Sequence, residues 1–483
     1  MTTHQTESET PERAPAGGRG IVAALLLAAF GASLAQTVVV AALPALQSDL
    51  STSSTGVAWV LTSFMLASAI SVPIAGRLGD TRGYRRVLIG CLVSFAVGAL
   101  VAALGTHAGS LGVLITGRVL QGVAGGVFPL AVGIVRTSVP AERIPRVVAV
   151  LSAMFGVGGA AGMVCAGPLV DAFGTESLSW TTLVLAAAAL AGVRYLPAGT
   201  RAGGGRLDFV GATVLPGALV CLLLAISQGN SWGWKSAGIL SLFAGAVVLL
   251  AVFSAAELRS AEPLVDLRLL RVPAFAAANV IAFIIGAAMF GSITLIPRFV
   301  QTPALSGYGF TESASGAGLV MLPVGVFTLI ASPLAGRLTE RFGPRVPLSA
   351  GAACAVVAFA WLAAAHSSIW DFYLTGVLVG TGYGLAFASL GNLVVDAVEP
   401  RFTGVAVGVN TIVRTVGGAL GAQLASALLT GTSSAVVPGL PAESGYTQGF
   451  VLFAAVAAAA LVATLAMPTG GSAVRPQPEA ARI

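Results

Sequence analysis

The chain has 483 residues, of which 56% are hydrophobic and 9% charged, against about 25% charged in an ordinary soluble domain. So few ions cannot coat a water-facing globule, and lipid is the main solvent. The formal charge of +6 does not indicate nucleic acid, because the basic residues sit between apolar blocks and are not clustered with exposed aromatics.

In chain order, apolar runs long enough to span a bilayer, about 19 to 25 residues each, fall at 21–43, 57–75, 87–105, 112–134, 147–169, 178–196, 209–227, 237–255, 274–296, 315–335, 347–365, 372–394, 403–428 and 448–467. They predict an all-α integral membrane protein with fourteen transmembrane helices and no room for a soluble domain. The first run follows a polar, Glu-containing leader and is too long for a signal-peptide core, so it reads as an uncleaved first span.

Basic residues mark cytoplasmic loops. With the N-terminus inside, all but four of the 25 fall on one side: Lys235 and Arg298 lie outside, and Arg118 and Arg414 lie within helices. Both termini are therefore expected in the cytoplasm. The bias of 24 Arg to one Lys reflects a GC-rich genome.

Cys91, Cys165, Cys221 and Cys354 are far apart, with no CxxC pair and no clustered His, so neither a disulfide framework nor a metal site is readable. His4, His107 and His366 form no hydrolase arrangement. No enzyme activity and no cofactor are expected.

The chain repeats itself. Pro73 to Arg85, PIAGRLGDTRGYR, lies over Pro333 to Arg345, PLAGRLTERFGPR, and Val157 to Gly162 lies over Val416 to Gly421, at offsets of 260 and 259. Helices 1–6 and 9–14 are thus parallel six-helix repeats, with helices 7 and 8 inserted between them. The expected organisation is a tail (1–20), an N-terminal half (21–196), a linker with helices 7 and 8 (197–272), a C-terminal half (273–467) and a second tail (468–483). Pro197 to Gly205 reads as a flexible link, and Gly229 to Lys235, with Trp232 and Trp234, as an interfacial anchor.

The loop after helix 2 carries Gly76, Asp80, Arg82, Gly83, Arg85 and Arg86, and resembles the signature loop of the major facilitator superfamily. Its second-half counterpart holds Gly336, Glu340, Arg341, Gly343 and Arg345. With fourteen helices and the repeat, the whole chain resembles the fourteen-helix drug/proton antiporter branch of that family. The resemblance implies that this cluster latches the cytoplasmic side. It also implies a bacterial cell-membrane transporter exporting small lipophilic compounds such as antibiotics, with the proton gradient as its energy source. Its partners are then a small molecule, protons and the bilayer; no nucleic acid is involved, and no oligomeric state is indicated.

Helix 4 carries Arg118, Gln121, Gly122 and Gly126, similar to the family's second motif. A charge within a span is a functional candidate, and Arg118, about 9 Å deep, either serves the site or snorkels outward. In helix 5, Gly162 to Gly167 replaces the family's Gly-Pro stretch without its proline; Gly158, Gly162 and Gly167 form a small-residue face for packing or gating. In helix 1, Ala35 stands where the resemblance implies Asp, and Val40 where it implies Asn. Proton coupling through that acid is then absent. Gln36, near the level of Arg118, is expected as its neutral partner. Arg414 in helix 13, with Asn410 one turn earlier, either bonds carbonyls or meets substrate; if it faces the cavity, that cavity is electropositive. Asp171, Glu312 and Asp371 are surface carboxylates or a titratable outer gate. Pro129, Pro216 and Pro323 are expected to kink their spans.

The resulting expectation is alternating-access export of a neutral or anionic lipophile. The alternatives are a differently coupled facilitator or importer of a small metabolite, and a non-transporting receptor or scaffold.

Overall fold

A computed structural model describes residues 18–52, 54–197, 209–260, 267–398, 403–432 and 440–467. The tails, most of the Pro197 to Gly205 link, and Arg201, Arg206, Arg401, Arg475 and Arg482 lie outside the described residues. Fourteen helices are long and apolar enough to cross a membrane, and no strand occurs among the described residues. The expected count therefore holds.

The helices are α1 (Gly18–Asp49), α2 (Ser54–Arg82), α3 (Tyr84–His107), α4 (Leu111–Ser138), α5 (Ile144–Phe173), α6 (Glu176–Gly192), α7 (Phe209–Trp232), α8 (Ala237–Arg259), α9 (Pro273–Gln301), α10 (Ala314–Phe342), α11 (Arg345–Ala364), α12 (Ile369–Asp396), α13 (Thr403–Thr430) and α14 (Glu443–Leu465). The face bearing Arg82, Arg136, Arg146 and Arg341 is termed the basic face below, and the other the far face.

Helix boundaries correct one expectation. The segment from Gly76 to Arg82 is the last part of α2, not a loop, and Gly336 to Arg341 is likewise the end of α10. Hydropathy stops where the hydrocarbon does, but the backbone stays helical until Gly83 (φ 97°) and Gly343 (φ 80°), a conformation only glycine adopts cheaply. In α4 a turn of 3-10 helix at Val123–Gly126 precedes Pro129, which lacks the amide that would bond Gly125.

Packing repeats with the sequence. α1 runs along α5 as α9 runs along α13; α2 meets α4 as α10 meets α12; α3 meets α6 as α11 meets α14. The aligned glycines explain the tightest of these. A Cβ at Gly158 or Gly162 would meet the carbonyls of Phe30 or Leu34 at 2.6 and 2.8 Å, and at Gly417 or Gly421 it would collide with those of Phe283 or Ala287. Without a hydrophobic force between helices in lipid, such close approach is the main source of association. Gly122 and Gly126 play the same part against α2, opposite Phe64 and Ala75, while Gly167 lies against Ser315 of α10.

Two seams join the six-helix units: α2 against α13, and α5 against α10. The inserted α7 packs on both α2 and α13 and pairs with α8, whose Leu240, Val247, Val248 and Val252 face outward as lipid contact requires.

Candidate functional site

Where the units meet, α1, α2, α7, α9 and α13 enclose a cavity of about 140 Å³. Its polar lining is Gln36, Thr37, Thr62, Ser227, Thr294 and Gln423, and its apolar lining includes Val40, Met65, Leu223 and Phe290. Thr62, Thr294 and Gln423 lie about 10 to 12 Å from the far-face ends of their helices. Among the described residues, none that lines it is charged. A smaller void of about 30 Å³ adjoins it at Ile293, lined by Met163, Met289 and Met321 together with Ser292 and Tyr383. Methionine surfaces adapt to varied apolar shapes.

Arg118 does not enter this cavity. It is 2% exposed, so it does not snorkel, and it ties three helices together. Its Nε donates to the Val60 carbonyl at 3.0 Å, and its Nη1 donates to the Ala35 carbonyl at 2.9 Å and to Gln121 Oε1 at 2.7 Å. The guanidinium also lies 4.5 Å over the Phe64 ring. Gln121 carries the chain onward, donating to Thr182 on α6 at 3.2 Å.

The expected Gln36–Arg118 pair is therefore corrected. Counting residues sets depth but not azimuth: Ala35 turns its carbonyl to Arg118, and Gln36, one residue and about 100° further round the helix, faces the cavity.

Arg414 is half-buried and sits 5.0 Å over the Phe387 ring of α12, with no hydrogen bond to any described residue. Asn410 points elsewhere, donating to the Ala278 carbonyl at 3.3 Å and to Asn279 Oδ1 at 3.4 Å on α9. Neither belongs to the cavity lining, so the electropositive cavity expected from Arg414 does not form. The site is neutral.

The basic face is sealed across both seams. Arg136, at the end of α4, donates to the Val395 and Val398 carbonyls at 2.9 and 3.3 Å and to the Thr403 hydroxyl. It thereby grips the end of α12 and the start of α13. On the other seam, Arg146 of α5 pairs with Glu340 at 3.1 Å. Asp80 accepts a hydrogen bond from Tyr84 of its own unit, and Glu340, its counterpart in the second half, pairs with Arg146 across the seam. Gly76 and Gly336 are buried, Arg82 is exposed, Arg85 is half-buried, Arg341 lies over Phe342, and Arg345 donates to the Leu465 carbonyl.

Sequence reading missed Arg136 and Thr403 as site residues. A signal was present: Arg136 and Asp396 stand at the repeat offset of 260, as Pro73 and Pro333 do, with opposite charges.

At the far face, Ser315 of α10 donates to Asp171 of α5 at 3.4 Å. Asp371 is committed to the capping box of α12, accepting from the Ser368 amide.

Two like six-helix units, a shared interior cavity and a seal at one face make up the architecture of a secondary transporter, with two repeats related about an axis along the membrane normal. The chain belongs to the Major Facilitator Superfamily, whose family model matches residues 25–422. It is a multi-pass membrane transporter and not an enzyme. It is 33% identical over 453 residues to an MFS-type transporter of Mycobacterium tuberculosis, matching 88% of this chain but spanning only 63% of that protein. It is also 33% identical over 459 residues to the cephamycin export protein CmcT of Amycolatopsis lactamdurans, covering 89% of each. Among solved structures, the human organic anion transporter MFSD10 (TETRAN) shares the fold, with a TM-score of 0.65 at 16% identity over 93% of this chain and 100% of that one.

Proposed function

We propose that this transporter exports small lipophilic compounds of the antibiotic kind across a bacterial cell membrane, driven by the proton gradient. In this reading the basic face is cytoplasmic, and the halves at 21–196 and 273–467 rock about the cavity between them. The observation that carries it is a neutral, largely apolar cavity in the far-face half of the bundle, with the basic face closed by Arg136 and by Arg146–Glu340. An exporter that has just delivered its cargo outward has this form. A cavity of about 140 Å³ is below the ~300 Å³ of a drug-sized site, so the halves must part to admit such a molecule. The relative named as a cephamycin exporter supports both direction and substrate class.

Because no carboxylate lines the cavity among the described residues, the coupling proton is taken up elsewhere. Two carboxylates bonded across the α5–α10 seam change surroundings when the halves part: Asp171, which accepts from Ser315 at the far face, and Glu340, paired with Arg146 at the basic face. The same lack of a lining carboxylate favours a second reading, an uncoupled or differently coupled facilitator of a neutral or anionic metabolite.

Everted vesicles separate the two. With the lumen acidified, an exporter of this kind accumulates the neutral dye N-phenyl-1-naphthylamine, and collapsing the pH gradient abolishes the accumulation. Uptake that is indifferent to the collapse establishes the facilitator.

A further inference from the structure

The inserted helix α7 touches both halves at the wall of the cavity. Ser227 and Leu223 are part of the lining. Ser227 Oγ and Thr62 Oγ1 of α2 lie 3.3 Å apart, either hydroxyl donating, and Gln423 of α13 donates to the Ser227 carbonyl at 3.2 Å. One residue of the insertion is thus bonded to one cavity residue from each half. Below it, Leu215 and Leu219 continue the contact, packed with Val72 of α2 and with Val405 and Ile412 of α13.

Both seams have direct helix contact: at α5–α10 a Cβ on Gly318 would lie 2.9 Å from Val164 Cα, and at α2–α13 one on Gly408 would lie 3.5 Å from the Val72 carbonyl. Beside the cavity it is α7 that bridges α2 and α13. A hydroxyl pair also carries two protons, and only one is used between Thr62 and Ser227; the other is a donor at the cavity surface.

We propose that α7 is a substrate-contacting wall of the transport site, and that Ser227 is a specificity-determining residue which donates a hydrogen bond to a neutral lipophile bearing an acceptor oxygen. This rests on the transporter reading above for its substrate and gives the inserted pair a role in recognition. Leu223, one turn away, supplies the apolar contact beside that donor. Because Ser227 is bonded to both α2 and α13, either the Thr62–Ser227 or the Gln423–Ser227 bond must lengthen when the two helices move apart.

The test uses the full-length protein in liposomes, with Cys91, Cys165, Cys221 and Cys354 replaced by Ala. In a Ser227→Cys variant, the acceptor-bearing probe progesterone slows maleimide labelling by threefold or more, while labelling of a Val247→Cys variant on the lipid side of α8 is unchanged. A Ser227→Val variant raises the KM for progesterone about fivefold more than it raises that for N-phenyl-1-naphthylamine, which has no oxygen, the effect of one lost hydrogen bond. A variant with only a packing defect moves both probes together. Flux with no protection at Ser227→Cys and no selective KM shift overturns the proposal while the transporter reading stands. Protection without flux in any variant leaves the proposal standing and overturns export. Neither flux nor protection overturns both.

Discussion

Arg136 Nη1 donates to the Val395 carbonyl at 2.9 Å, so a cation of one six-helix unit caps the C-terminal turn of a helix in the other. Exposed carbonyls at a helix end carry partial negative charge, and a cation placed there is worth about 0.3–1 kcal/mol, more when partly buried. Reaching the Val398 carbonyl and the Thr403 hydroxyl as well, the same guanidinium holds α12 and α13 together against α4.

Removing this clasp opens the basic face. Arg136→Ala is expected to slow transport about tenfold and to raise the reactivity of cysteines introduced near Val395 towards reagent applied on that face. Glu340→Gln, which breaks the ion pair with Arg146, is expected to cost threefold at most. Both partners of that pair are well exposed, at 59% and 36% of their side-chain surface, and exposed pairs contribute little. Equal losses from the two substitutions would show that the seals are equivalent.

Arg118 is a stability residue in this geometry. Arg118→Ala strands the Gln121 amide oxygen in a buried site, removes a buried cation–ring contact and leaves the space of a guanidinium, a loss of about 2–4 kcal/mol. A lowered thermal transition in detergent is expected. Gln121→Ala is milder. Lysine at position 118 does not rescue, because a single ammonium cannot address Val60, Ala35 and Gln121 from one plane.

Gln36→Glu places a carboxylate in a cavity lined by no charge. Lipophilic cations such as tetraphenylphosphonium are then expected to gain at least tenfold in kcat/KM over neutral dyes, since charge pairing in a low-dielectric pocket is strong. Unchanged selectivity between the two probes would remove Gln36 from the site.

Tyr308, between α9 and α10, donates to the Pro441 carbonyl, and its ring lies tilted against that of Tyr446, with centroids 5.6 Å apart. Burial, followed by the neighbouring Tyr446, pushes its hydroxyl up from the usual 10.0 to about 12. The folded state therefore favours the neutral phenol. That contribution is fully present below pH 10 and is lost as pH rises through 12. Tyrosinate absorbance at 295 nm in wild type and Tyr308→Phe should differ only in a component titrating near the upper value.

Much of the molecule could be read directly from the residues. The fourteen spans follow from run length, because lipid forces every backbone group into a helix and leaves only hydropathy to mark its extent. The internal repeat located the glycines of α5 and α13 whose missing side chains let α1 and α9 approach. Tertiary structure alone decided what depends on azimuth and on distant neighbours. It turned Gln36 into the cavity and Ala35 towards Arg118, laid Arg414 on Phe387, brought Arg136 to the end of α12, and set α7 as a wall against Thr62 and Gln423. A helix written as a string has depth and period but no direction. Which face meets which partner is fixed only when all fourteen cylinders are packed.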